Sequence, residues 1–258
     1  MTYSATYRRM LGKMDYYNYQ DMIIRRHLFQ NGGWESHNEH SRRFIIKAMD
    51  HYKPEKITVL GSGWLLDLPL AEMIERTKKI CLLDIVHPPE VKKQVGTIKN
   101  VELIEFDITG GLIEEVWKKA GRYSILRNLK SLDCITIPEY IPDEDPGMVI
   151  SLNILTQLES LPVKYLKKRS NIKEEEFVVF SSEIQKKHID FLNRSKSVLI
   201  TDYEEVITHK SGIIETIPTL QAVLPEGKFS EKWSWDFDMA GADYFTSKSI
   251  LNVVALII

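Results

Sequence analysis

The chain reads as an α/β protein, a mostly parallel sheet with helices on both faces. Two features of the sequence predict it. From residue 56 onward, short apolar runs alternate with amphipathic stretches, and the connections are about as long as a crossover helix requires. The bulk agrees: 258 residues, 43% hydrophobic and 27% charged, can bury one large core.

Taken in order, residues 1–54 are predicted helical. QDMIIRRHLF and SHNEHSRRFIIKAMDHY each place apolar residues three or four apart, and NGG at 31–33 separates them. Ser36, with Glu39 three residues on, fits a helix cap. KITVLG is a strand and LPLAEMIERTKK a helix, with Asp67 able to cap it and Pro69 inside its first turn. KICLLDIV is a strand with Cys81 as buried filling, followed by the short helix PPEVKKQV. VELIEFDI is a strand, and GLIEEVWKKAG is a helix closed by Gly121. IPEYIPDEDPG, 137–147, is a loop before the strand PGMVISLNIL. SSEIQKKHIDFLNRS is a helix and KSVLITDY a strand. The last strands, KWSWDFD and SILNVVALII, flank MAGADYFTSK, which contains Tyr244. Alternation in WSWDF puts Trp233 and Trp235 on one face, as packing against a helix would require. We therefore expect one α/β domain over 55–258 and a helical extension over 1–54 packed on it.

Composition bears on partners. A formal charge of −2 gives no basic footprint for a nucleic acid, and YRRMLGKMDYYNY mixes its aromatics with too few cations to change that. Two cysteines, Cys81 and Cys134, make neither a disulfide framework nor a four-ligand zinc site. His37 and His40 share a helix face, but a third ligand and an H-E-x-x-H pattern are missing, so no metal is expected. The N-terminus has no apolar core like a secretory signal, and the apolar tail NVVALII is too short to span a bilayer. The expectation is a cytoplasmic protein without a membrane partner, self-association being left open.

In a doubly wound sheet, ligands bind beyond the carboxyl ends of the strands. Gly61 and Gly63 follow the first strand, where missing side chains let a ligand approach the backbone. Asp84 ends the second strand and can accept both hydroxyls of a ribose; Asp107 ends the third, within reach of an adenine amine. Both aspartates equally suit ordinary strand-end turns. A dinucleotide fingerprint G-x-G-x-x-G fails at Leu66, and no G-x-x-x-x-G-K-[ST] loop is present. Asp67 beside the turn disfavours a pyrophosphate and suits a positive amine or sulfonium. That chemistry points away from NAD and toward S-adenosyl-L-methionine.

VLGSGWLLDLPL, LLDIV, IEFDI and GMVISLNILTQL together resemble the class I S-adenosylmethionine-dependent methyltransferases over residues 55–258. The resemblance implies a Rossmann-like seven-stranded methyltransferase sheet whose last strand runs antiparallel. It implies that Gly61, Ser62 and Gly63 lie beside the methionine part of the cofactor. Asp84, with Ile85, would hold the ribose, and Asp107, with Ile108, the adenine. Ser151, Leu152 and Asn153 would end the fourth strand facing cofactor and substrate. SLNILTQL replaces the N-P-P-Y type motif, which argues against methylation of base amines or glutamine amides.

The substrate side is read from the helix WESHNEHSRRFI and from the strand ends. Trp34, His37 and Arg42 would line a pocket across the cleft, or else only tie the extension down. Asn153 and Gln157 leave the fourth strand with amides that a ligand or a local loop can satisfy. Tyr203, with Glu204 and Glu205, would sit just after the fifth strand, recognising an amine-bearing acceptor or opening a solvated helix. A histidine titrates near neutrality, which makes His37, with Asn153, the catalytic candidate. The functional expectation is methyl transfer to a small-molecule acceptor, and the competing one is a non-catalytic scaffold of the same fold.

Overall fold

The computed structural model describes residues 3–30, 32–121, 129–242 and 247–258. Tyr244 lies outside them. Three helices open the chain: α1 (Ala5–Lys13), α2 (Tyr16–Phe29) and α3 (Glu35–Tyr52). Ser4 caps α1, its side-chain oxygen accepting from the Tyr7 N–H at 3.1 Å. α3 begins at Glu35, so the predicted Ser36 cap is one residue inside the helix, exposed, and the helix starts without a side-chain cap. It ends at Lys53, in left-handed conformation with φ 46°, just before Pro54.

The remaining strands and helices are β1 (Lys56–Leu60), α4 (Leu70–Arg76), β2 (Lys79–Asp84), α5 (Pro89–Val95), β3 (Val101–Glu105), α6 (Leu112–Gly121) and β4 (Met148–Leu152). After a 3-10 turn at Leu155–Gln157 come α7 (Ser160–Lys167), α8 (Glu174–Leu192), β5 (Ser197–His209), β6 (Ile214–Pro218), β7 (Phe229–Asp238) and β8 (Ser247–Ile257). α4 starts later than the sequence suggests. Pro69 stands at its N-terminus, and Asp67 makes no cap; its carboxylate is taken by another partner, Asn153.

The sheet runs β3-β2-β1-β4-β5-β8-β7, with β6 paired to β5 off this path. β1 to β5 pair in parallel, and β8 lies antiparallel between β5 and β7. This is a Rossmann-like methyltransferase order, as expected, with an eighth strand added. That strand comes from a longer β5: Tyr203, Glu204 and Glu205 lie inside it rather than after it, next to a register shift between Asp202 and Glu204. β5 then turns back through Gly212 into β6, whose five side chains are all exposed. With nothing to bury, that segment carries no periodic signal in the sequence.

Alternation sorts each strand between two cores. Ile57, Val59, Ile80, Leu82, Met148 and Ile150 face a layer holding α3 residues Phe44, Ile45, Ala48 and Met49, with α4 and α5 beside them. Leu60, Cys81, Leu83, Val149 and Leu199 face the other layer, made by α6, α7 and α8 together with Met10 and Leu11 of α1. Trp233 and Trp235 share the α3 side, as their spacing predicts. Each large apolar side chain fully buried this way contributes about 1.5–3 kcal/mol, so α1 and α3 are held by the same burial that closes the sheet.

Candidate functional site

At the carboxyl ends of β1, β2 and β4 lies a cavity of about 130 Å³. Gly61, Ser62, Gly63, Asp84, Ile85, Leu152, Asn153 and Gln157 line it, together with Trp34 and His37 from the α3 side. A second cavity, about 50 Å³, adjoins it at the end of β3 and contains Asp107 and Ile108. Tyr16, Gly61, Asp84, Ile85, Ile154 and Gln157 belong to both, so three successive strand ends border one continuous region.

The turn after β1 has little room. Gly61 has φ 80°, and a Cβ there would stand 2.7 Å from Cβ of Ile154 and 2.9 Å from the Leu152 carbonyl. Glycine is required by both conformation and contact. Leu65 in the same turn also has positive φ, 61°, a conformation that costs a non-glycine residue roughly 1–2 kcal/mol. The turn's donors are used internally: the N–H groups of Gly61 and Ser62 donate to the Leu83 carbonyl, and that of Gly63 to Asp84 Oδ2 at 2.8 Å. Buried His87, its Nε2 3.1 Å from Ser62 Oγ, braces the turn from behind; burial pushes its pKa down to about 4.

Asp84 is buried, and burial pushes its carboxyl up to about 6, against the lowering effect of its hydrogen bonds. Besides Gly63, it accepts from the Gln20 side-chain amide at 3.0 Å. Asp107 is raised by burial too, and accepts from Thr109 N–H at 2.9 Å and from the Tyr7 hydroxyl at 3.3 Å. Both strand-end carboxylates are therefore approached from the N-terminal helices. α2 roofs the cavity with Tyr16, Tyr19, Gln20, Ile23 and Arg26. These positions were absent from the sequence-based site. Their three-to-four spacing marks one helix face, but nothing in the sequence says what that face covers.

His37 is fully buried, its ring stacked on Trp235 with centroids 3.8 Å apart. Trp233 Nε1–H donates to its Nδ1 at 3.1 Å. An indole N–H can only donate, so this contact favours a ring that accepts at Nδ1. Burial holds the ring below its usual pKa, hence neutral. Nε2 lies 3.0 Å from Asn153 Nδ2, also a donor, 3.5 Å from Ser41 Oγ and 3.9 Å from Asp67 Oδ2, so the partners at the two nitrogens favour opposite tautomers. Both ring nitrogens thus face protein groups at the edge of the cavity that His37 lines.

Asn153 takes positive φ, 49°, which asparagine tolerates. Its Nδ2 donates to Asp67 Oδ2 at 2.7 Å, and its carbonyl accepts from Gln157 Nε2 at 2.6 Å. Its Oδ1 is buried without a partner among the described residues. Two expected residues stand apart from the cavity. Arg42 is exposed and donates to the Leu66 carbonyl, tying α3 to the turn. Tyr203 packs beside the α8 core, its carbonyl accepting from Thr219 and Leu220 N–H; Glu204 accepts from Asn252 and Glu205 from Ser249. The lengthened β5 carries all three away from the site.

Among the described residues no three His, Cys, Asp or Glu side chains group as a metal site, and no helix is long and apolar enough to cross a membrane. No protein-family model and no curated protein matches the chain. Solved structures similar to it include the DhpI–SAH complex, at 7% identity and TM-score 0.38, over 96% of this chain and 98% of that one. Another is the Burkholderia thailandensis 1,6-didemethyltoxoflavin-N1-methyltransferase with bound 1,6-didemethyltoxoflavin and S-adenosylhomocysteine, at 8% identity and TM-score 0.40, over 100% and 92%. The methyltransferase domain of bacterial CtHen1 is similar at 12% identity and TM-score 0.30, over 84% and 99%. Likenesses this distant carry no functional weight.

Proposed function

We propose that the chain binds S-adenosyl-L-methionine and transfers its methyl group to a small-molecule acceptor. The observation that carries this reading is the continuous region bordered by a glycine turn and two buried strand-end carboxylates, Asp84 and Asp107. The chemistry of the donor set fits the group. Two buried acceptors suit the paired hydroxyls of a ribose and the amine of an adenine. Gly61, Ser62, Gly63, Asp84 and Ile85 would hold the methionine and ribose parts, and Asp107 and Ile108 the base. When bound, the cofactor supplies an electrophilic methyl on a sulfonium.

The chain's own work is then orientation and exclusion of water. Trp34, Trp235 and Phe237 form an apolar wall, and α2 adjoins it, with Arg26 over the Phe237 ring. The two cavities together are smaller than the roughly 300–1,000 Å³ usual for a ligand of this size. Tyr16, Tyr19 and Gln20 must therefore yield outward for the nucleoside to enter.

Calorimetric titration with S-adenosyl-L-homocysteine tests the reading. Wild type should bind, and Asp84→Ala should weaken binding by about 1.5–3 kcal/mol, the value of hydrogen bonds to a charged group. No binding by wild type would leave the fold as a scaffold.

A further inference from the structure

We infer that Asp67 and Asn153 form a seat for a basic amine, and that the molecule acted on carries such an amine on an aromatic body. This deepens the methyl-transfer reading and rests on it for the fate of the amine. The Asn153 amide is oriented by its bond to Asp67: Nδ2 donates there, so Oδ1 is the end left over, buried and unpartnered among the described residues. Asp67 lines the same cavity with its side chain 17% exposed. Among the described residues neither Lys nor Arg pairs with it, and the nearby His37 ring is neutral.

Two oxygen acceptors, one of them charged, therefore serve one corner. A carboxylate or phosphate ligand offers no hydrogen and is repelled by Asp67. A hydroxyl offers one hydrogen and cannot satisfy both oxygens. A primary ammonium offers three from one atom and neutralises the charge. Tyr19, Trp34, Trp64, Trp235 and Phe237 line the same cavity and give it aromatic walls that fit a flat body. Trp235 Nε1 is a buried donor without a partner among the described residues, so the body should carry an acceptor. Passing one N–H proton from the seated ammonium to the Asp67 carboxylate leaves the nitrogen lone pair free, and the proton leaves later to solvent. Asp67 thus takes the role the sequence assigned to His37, and His37 and Trp233 hold Asn153 and Asp67 in place.

Tyramine and tyrosol, which differ only in amine against hydroxyl, test the seat by calorimetry on the full chain with saturating S-adenosyl-L-homocysteine. Wild type should bind tyramine at least about tenfold more tightly than tyrosol, one hydrogen bond to a charged group being worth that much. Asp67→Asn should bring the two to parity while S-adenosyl-L-homocysteine binds as before. Equal affinities in wild type, or no tyramine binding, overturn the inference without any variant. So does an Asp67→Asn protein that loses S-adenosyl-L-homocysteine but keeps tyramine, because the carboxylate then serves the cofactor. If wild type prefers tyramine yet binds no S-adenosyl-L-homocysteine, the seat stands and methyl transfer falls.

Discussion

Trp233 and His37 lie 196 positions apart in the chain and meet at 3.1 Å, and this contact favours the ring form that accepts at Nδ1. Trp233→Phe keeps an aromatic ring beside His40 and removes only the donor. It should leave Nδ1 an unpaired buried acceptor and cost about 1–3 kcal/mol in denaturant unfolding. Imidazole nitrogen chemical shifts should show more of the Nε2–H tautomer in wild type than in the variant. Equal populations in the two would mean that the contact does not set the ring form. Gly61→Ala tests the turn in the same way. Its Cβ would meet Ile154 and Leu152, and its φ of 80° is costly for any side chain. Together these should destabilise by about 2–4 kcal/mol, and a neutral effect would mean the turn moves freely.

Among the elements, α2 is the least like its neighbours. Its buried residues are Tyr16, Gln20 and Arg26, two of them polar, while Met22, Leu28 and Phe29 are exposed. α3, by contrast, buries Phe44, Ile45, Ala48 and Met49 in the core. Polar contacts hold α2 to the body: Gln20 to Asp84, the Gln20 carbonyl to Trp64 Nε1–H at 2.9 Å, and Tyr19 to Gln157. An element with few apolar contacts opens at low free energy. Amide hydrogen exchange should therefore be faster in α2 than in α3, and should slow in α2 when S-adenosyl-L-homocysteine is added. Equal protection of both helices would make the roof a fixed wall. α3 also shows how tertiary context moves a boundary: Ser36 has the sequence of a cap, yet the helix starts at Glu35.

For the molecule as a whole, buried titratable groups set the pH dependence of stability. Burial raises Asp84 to about 6 from 3.8 and Glu159 to about 8 from 4.5. A raised carboxyl stabilises fully below its unfolded value, and that contribution is lost as pH rises through the folded one. Burial lowers His87 and His188 to about 4 from 6.5, and lowers His37 too. Their contribution is present above the unfolded value and is lost as pH falls. The two sets oppose each other between pH 4 and 6.5, Asp107 adding to the raised carboxyls, and above that range Glu159 still declines. Stability should peak near pH 6.5 and fall by about 2 kcal/mol by pH 8. Glu159→Gln keeps the acceptor used by Gln185 Nε2 at 2.7 Å and should reduce the alkaline decline. Urea midpoints across this range check it, and an unchanged decline in the variant would assign it elsewhere.

Most parallel strands were legible because they are short runs buried on both sides, as KITVL and KICLLD show; the less buried β3 was legible from its place in the alternation, and the sheet order from the family resemblance. The glycine turn and the positions of Asp84 and Asp107 were legible for the same reason: they end those runs. Three things needed the fold. β6 has no buried side chain, so it leaves no period. The α2 roof has a visible face but no visible target. The donor at His37 Nδ1 is Trp233, which arrives from the far end of the sheet. Local spacing encodes which residues share a face; only the packed chain decides what that face meets.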